Sequence, residues 1–116
     1  MLRITLAVAA MAVVDVGPTH AQTTVTTLQG TVGPGYTITL KKGSTVVRSL
    51  KRGKYTIAIR DRSQEHNFHL RGPVSRTFSS IGWTGSKTVT VTLKAGRYTY
   101  VCDPHADEMR GGFRVT

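Results

Sequence analysis

Cys102, His105 and Met109 fall within eight residues of one another in the stretch Tyr-Val-Cys-Asp-Pro-His-Ala-Asp-Glu-Met-Arg-Gly-Gly-Phe, which closes at Phe113. They offer a thiolate, an imidazole and a thioether. With one further imidazole these are the donors of an electron-transfer copper site: two nitrogens and a sulfur in a trigonal plane, with a weak axial thioether. A strand ending at Cys102, a tight turn through Pro104 and a second turn before Gly111 would gather the three heads into one small volume. The second imidazole has to come from a distant segment, and His66 and His69 in Glu-His-Asn-Phe-His-Leu are the candidates. They differ in strand parity, so one regular strand cannot turn both inward. His69 stands between Phe68 and Leu70, which a core would claim, and is expected to face outward. His66, at the mouth of the strand, is the favoured ligand. Taken singly, either would be an ordinary surface or core histidine. Between His105 and Met109, Asp107 and Glu108 are competing donors, and a hard carboxylate there would favour Cu(II) and lower the potential.

The elements that must hold these side chains read as strands. Tyr55, Ile57 and Ile59 alternate with polar or small neighbours, as do Val89, Val91 and Leu93 among threonines. That period of two marks half-buried strands. Tyr36, Ile38 and Leu40 give a third set, and Tyr98, Tyr100 and Cys102 a fourth, which carries Cys102 onto an inward, largely apolar row. Val25 to Val32 is a weaker candidate, and Phe113 to Thr116 reads as a short closing strand. Gly33-Pro34-Gly35, Lys42-Gly43-Ser44, Arg52-Gly53 and Ala95-Gly96 punctuate the runs as turns. Short strands, abundant Thr and Val, and no helical periodicity predict an all-β fold, an antiparallel sandwich or barrel.

The first residues read differently. Arg3 precedes an apolar run from Ile4 to Val14, and Thr19-His20-Ala21 ends on a small residue. This predicts an export signal over 1–21 with cleavage before Gln22, and a single domain over 22–116. A membrane anchor is the weaker reading, because the run is shorter than the roughly 20 residues a span needs and Asp15 interrupts it. The destination is periplasmic or extracellular. One cysteine excludes an internal disulfide and leaves an unused thiol, an intermolecular bridge or a metal ligand.

The formal net charge is +10 over 116 residues, with a cluster at Arg48, Lys51, Arg52 and Lys54. Such a field favours an acidic redox partner and makes association salt-sensitive. Weak association with an anionic membrane surface also fits, as does a merely solvated loop face. No nucleic-acid recognition motif accompanies the charge. A monomer is expected.

The chain resembles a small cupredoxin of the plastocyanin, pseudoazurin and amicyanin type. Carrying the resemblance are Gly53-Lys54-Tyr55, His66-Asn67-Phe68-His69-Leu70, the run from Gly96 to His105, and Met109-Arg110-Gly111-Gly112-Phe113. It implies a Greek-key sandwich and one type 1 copper ion held by His66, Cys102, His105 and Met109. It also implies that Asn67 hydrogen-bonds across to the loop bearing Cys102, while Pro104 removes a donor near the thiolate. The implied function is one-electron transfer through the edge of His105, with no catalysis. Two other readings stand beside it: a copper storage or delivery protein, and a metal-free β-sandwich interaction module in which Cys102 is an inert core thiol. Trp83 belongs either to a docking face or, the better reading, to the cover of one end of the core.

Overall fold

The computed structural model describes residues 24–116. The export signal predicted over 1–21 and its cleavage point lie outside the described residues. Ten strands follow in order: β1 (Thr26–Val32), β2 (Ile38–Lys42), β3 (Thr45–Val46), β4 (Ser49–Leu50), β5 (Gly53–Asp61), β6 (Phe68–Arg71), β7 (Arg76–Ser79), β8 (Gly85–Leu93), β9 (Gly96–Val101) and β10 (Arg110–Val115). Among the described residues a single 3-10 turn, Asp103–His105, interrupts them.

The strands form two five-stranded sheets, ordered β3-β2-β1-β5-β8 and β4-β10-β9-β6-β7. Both sheets keep free edges, so the fold is a sandwich and not a closed barrel. Connections that pass from one sheet to the other, as from β4 to β5 and from β5 to β6, are those of Greek-key sandwiches. The expectation of purely antiparallel pairing needs correction at two places: β1 runs parallel to β5, and β4 parallel to β10. Parallel neighbours need a long crossover. The excursion through β2, β3 and β4 supplies it, returning the chain to lie beside β1.

Alternation places the core. Tyr55, Ile57 and Ile59 of β5 point inward, as do Val91 and Leu93 of β8 and Tyr98 and Tyr100 of β9. They meet Leu28, Val32, Phe68, Leu70 and Phe78 between the sheets. Phe68 stacks on Tyr100 at 5.6 Å, and Tyr98 on Phe113 at 5.1 Å. Close packing of this kind leaves no room beside Tyr100, whose ring lies directly over Gly111, its partner across β9 and β10. At the opposite end from the candidate ligands, the Tyr98 hydroxyl donates to the Lys94 carbonyl (2.9 Å) and accepts from the Lys94 amide (3.0 Å), pinning the turn into β9.

Tyr36 departs from its expected place. It is 60 % exposed and precedes β2, while Leu40 is buried and Ile38 half-buried. Gly33 and Gly35 take positive φ, and the turn they make runs on to Thr37, whose carbonyl accepts from the Gly33 amide. Strand parity counted back from Leu40 therefore fails before it reaches Tyr36.

Candidate metal centre

Four connections meet at one end of the sandwich: residues 33–37, 62–67, 80–84 and 102–109. The last is a loop that sets its own shape. The Cys102 amide donates to the Met109 carbonyl (3.0 Å), the His105 amide to the Cys102 carbonyl (3.0 Å), and the Met109 amide to the His105 carbonyl (2.8 Å). Pro104, at the start of the 3-10 turn, lacks an N–H that would need a partner. Cys102, His105 and Met109 are thus fixed to one another by backbone bonds. Cys102 and Met109 are completely buried, whereas the competing donors Asp107 and Glu108 are exposed.

His66 arrives from 62–67, just before β6. Its Nδ1 lies 3.2 Å from His105 Nδ1 and 3.6 Å from Cys102 Sγ, and the third side of the triangle, His105 Nδ1 to Cys102 Sγ, is 3.5 Å. A point equidistant from the corners of such a triangle lies about 2 Å from each, the length of a transition-metal bond to imidazole. The donors fit a copper ion in chemistry as well as spacing, since a thiolate and two imidazoles are the planar set of a type 1 site. Among the described residues, His66, Cys102 and His105 form the one cluster of three or more histidine, cysteine or carboxylate donors that converge in this way.

One hydrogen bond beside the triangle fixes the tautomer of His66. His66 Nε2 lies 2.8 Å from the Gly35 carbonyl, which can only accept, so the bond assigns the proton to Nε2 and leaves Nδ1 with a bare lone pair facing the triangle. Below, Asn67 braces the two segments. Its amide Nδ2 donates to Asp103 Oδ2 (2.8 Å), and its Oδ1 accepts from the Asp103 amide (2.7 Å). The Asp103 carboxylate also takes Arg71 and the Nδ1 of His69, the latter at 3.0 Å. Partial burial alone would raise the Asp103 carboxyl. The hydrogen bonds from Asn67, His69 and Arg71 and the charge of His69 outweigh that and hold it below its ordinary value.

Of the two candidate histidines, His66 joins the triangle, and His69 sits on Asp103 outside it. Reasoning from sequence missed Gly35, Tyr36 and Arg71. The Tyr36 ring covers both imidazoles, 4.9 Å from His105 in an edge-on arrangement and 5.7 Å from His66. The one available signal was Gly33-Pro34-Gly35, which marks a turn without saying what the turn faces. Trp83, on 80–84, is half-buried beneath the Lys87 ammonium, 5.0 Å from the ring centroid.

Known proteins share this frame. Rusticyanin from Thiobacillus ferrooxidans superposes with a TM-score of 0.54 at 17 % identity, over 78 % of this chain and 76 % of that one. A methionine-to-glutamine variant of rusticyanin gives 0.56 at 20 % identity, over 78 % and 76 %. An oxidised methionine-to-leucine variant of amicyanin gives 0.51 at 20 % identity, over 77 % and 81 %. At such identities the likeness speaks for the fold alone. No curated protein sequence matches the chain. The sequence profile of the copper binding proteins of the plastocyanin/azurin type, however, matches residues 12–116, nearly the whole length. With that match and with a thiolate and two imidazoles gathered at one end of a β-sandwich, this chain belongs to the plastocyanin/azurin family of copper binding proteins.

Proposed function

We propose that the protein is a one-electron carrier in which His66, Cys102 and His105 would hold a copper ion, with Met109 as the fourth donor. Copper bound there supplies a Cu(I)/Cu(II) couple that exchanges one electron. The observation that carries the reading is the closed triangle of His66 Nδ1, His105 Nδ1 and Cys102 Sγ, with sides of 3.2 to 3.6 Å, in a loop already tied by its own backbone. Donors held in place before the metal arrives need little rearrangement when its charge changes.

Each residue has a distinct task. The Gly35 carbonyl keeps the His66 proton away from the triangle. Asn67 and Asp103 hold the two segments in register. Burial of Cys102 and Met109 keeps water from the sulfur donors. His105 is the half-buried member of the set, so its edge, beside Tyr36, would be the path for the electron. With Met109 as the fourth donor the site would be filled, and the reading assigns no substrate chemistry and no catalytic residue.

The net charge of +10 supports an acidic protein as donor or acceptor, and Arg62 and Arg110 are exposed cations on or beside the connections around the site. The Arg3 and Ile4–Val14 pattern supports export to the periplasm or beyond. Voltammetry of the copper-loaded protein tests the carrier reading. A reversible one-electron wave is expected. Tight copper binding without a reversible couple would make the chain a store or delivery protein instead.

A further inference from the structure

Charge is divided between the two ends of the sandwich. The described residues carry five Asp or Glu side chains: Asp61, Glu65, Asp103, Asp107 and Glu108. All of them lie at the metal end, at the close of β5 or in the connections that follow β5 and β9. The opposite pole has none and is strongly cationic. Lys51, Arg52 and Lys54 lie on the passage from β4 into β5, and Lys94 in the turn before β9. Lys42 and Arg48 flank β3. Arg97 and Arg114 face each other directly across β9 and β10. All eight are exposed. Like charges placed opposite on a sheet destabilise it, so the arrangement has a cost that an anionic partner would offset.

The pole also has a receiving shape. A shallow cleft of about 340 Å³ is lined by Lys42, Thr45, Val46, Arg48 and Ser49. Two cations and two hydroxyls suit a phosphate, and Val46, 41 % exposed, suits hydrocarbon beside it. Among the described residues no Tyr, Trp or Phe is exposed at this pole, so the aromatic anchors that dominate protein–protein contacts are missing. Cations spread over several connections instead match a partner that is itself a diffuse sheet of phosphates.

We propose that this basic pole is a docking face for an anionic lipid bilayer, with a headgroup phosphate seated between Lys42 and Arg48. The metal end then points away from the membrane, leaving His105 open to a redox partner.

The test is partition of the full chain onto phosphatidylglycerol and phosphatidylcholine vesicles. The apolar N-terminal run is common to every preparation, so differences between them report the pole. Binding to phosphatidylglycerol should weaken steeply between about 0.01 and about 0.15 M salt, as the Debye length falls from about 30 to about 8 Å. Lys42→Glu with Arg48→Glu should lower that partition by at least about tenfold, since each cation near an anionic surface is worth about fivefold. Arg60→Glu with Lys87→Glu, on the outer face nearer the metal end, should leave it nearly unchanged. Arg114→Glu guards against a folding artefact: it creates an ion pair with Arg97, so vesicle binding should drop while the melting temperature holds or rises. Trp83, the single tryptophan and at the metal end, should escape quenching by lipids brominated near the headgroup. Wild-type partition by the Lys42→Glu, Arg48→Glu double variant, an equal loss in the Arg60 and Lys87 control, or quenched Trp83 overturns the proposal. So does retention on an acidic protein without salt-sensitive binding to phosphatidylglycerol.

Discussion

A proton on the wrong nitrogen would disable this centre, and the Gly35 carbonyl is what keeps the His66 proton outside the triangle. Asn67 and Asp103 act one step further out, through the ligands they orient. Loss of such a partner costs about 10- to 100-fold in metal affinity. Asn67→Ala should therefore weaken copper binding by about that factor in a competition titration, while an unchanged affinity would show that the loop holds its shape alone. Met109→Leu removes the axial donor and should raise the reduction potential, whereas Met109→Gln, with a harder oxygen, should lower it. Potentials that do not move would place Met109 outside the metal's reach. Asp103 carries a pH signature. Its carboxyl is held below its ordinary value when folded, so its stabilisation is complete above the unfolded pKa of about 3.9 and disappears as pH falls through the lower folded value. Asp103→Asn should flatten the acid limb of stability below about pH 4 in thermal melts. The triangle's members could be named from sequence because Cys102 and His105 are near neighbours in the chain and strand parity separated His66 from His69. Gly35, Tyr36 and Arg71 could not be, because each reaches the site through tertiary contact and carries no pattern of its own.

Between β9 and β10 the packing is tight enough to be tested by single atoms. Gly111 accommodates the Tyr100 ring, and a side chain there would overlap it. Gly111→Val should destabilise the fold by about 1–3 kcal/mol, the usual cost of overpacking, with a matching fall in denaturation midpoint. Tyr98→Phe strips both hydrogen bonds from Lys94 and should cost about 1 kcal/mol with the site spectrum unchanged, since Lys94 lies at the far end. The alternation that marks β5, β8 and β9 was legible because each buries one face only. β7 was not, since Arg-Thr-Phe-Ser offers a single apolar residue to establish a period. The parallel neighbours β1 with β5 and β4 with β10 were equally invisible: a period of two fixes which side chains point inward and says nothing of the partner's direction.

Across the whole molecule the net charge could be summed from the sequence, but its division into a metal end of mixed charge, which holds all five described carboxylates beside Arg62 and Arg110, and a far end of cations alone could not. That division depends on which turns share a pole, and therefore on topology. The surplus still acts at long range, and the rate of electron exchange with an acidic redox protein should fall with added salt. The account rests on one thiolate closing on two imidazoles. Titration of the protein with Cu(II), followed by optical and EPR spectra of wild type beside Cys102→Ala, tests it most directly. Wild type should develop intense blue absorption with the narrow copper hyperfine splitting of a thiolate-bound site, and Cys102→Ala should show neither. Matching spectra from the two proteins would contradict it.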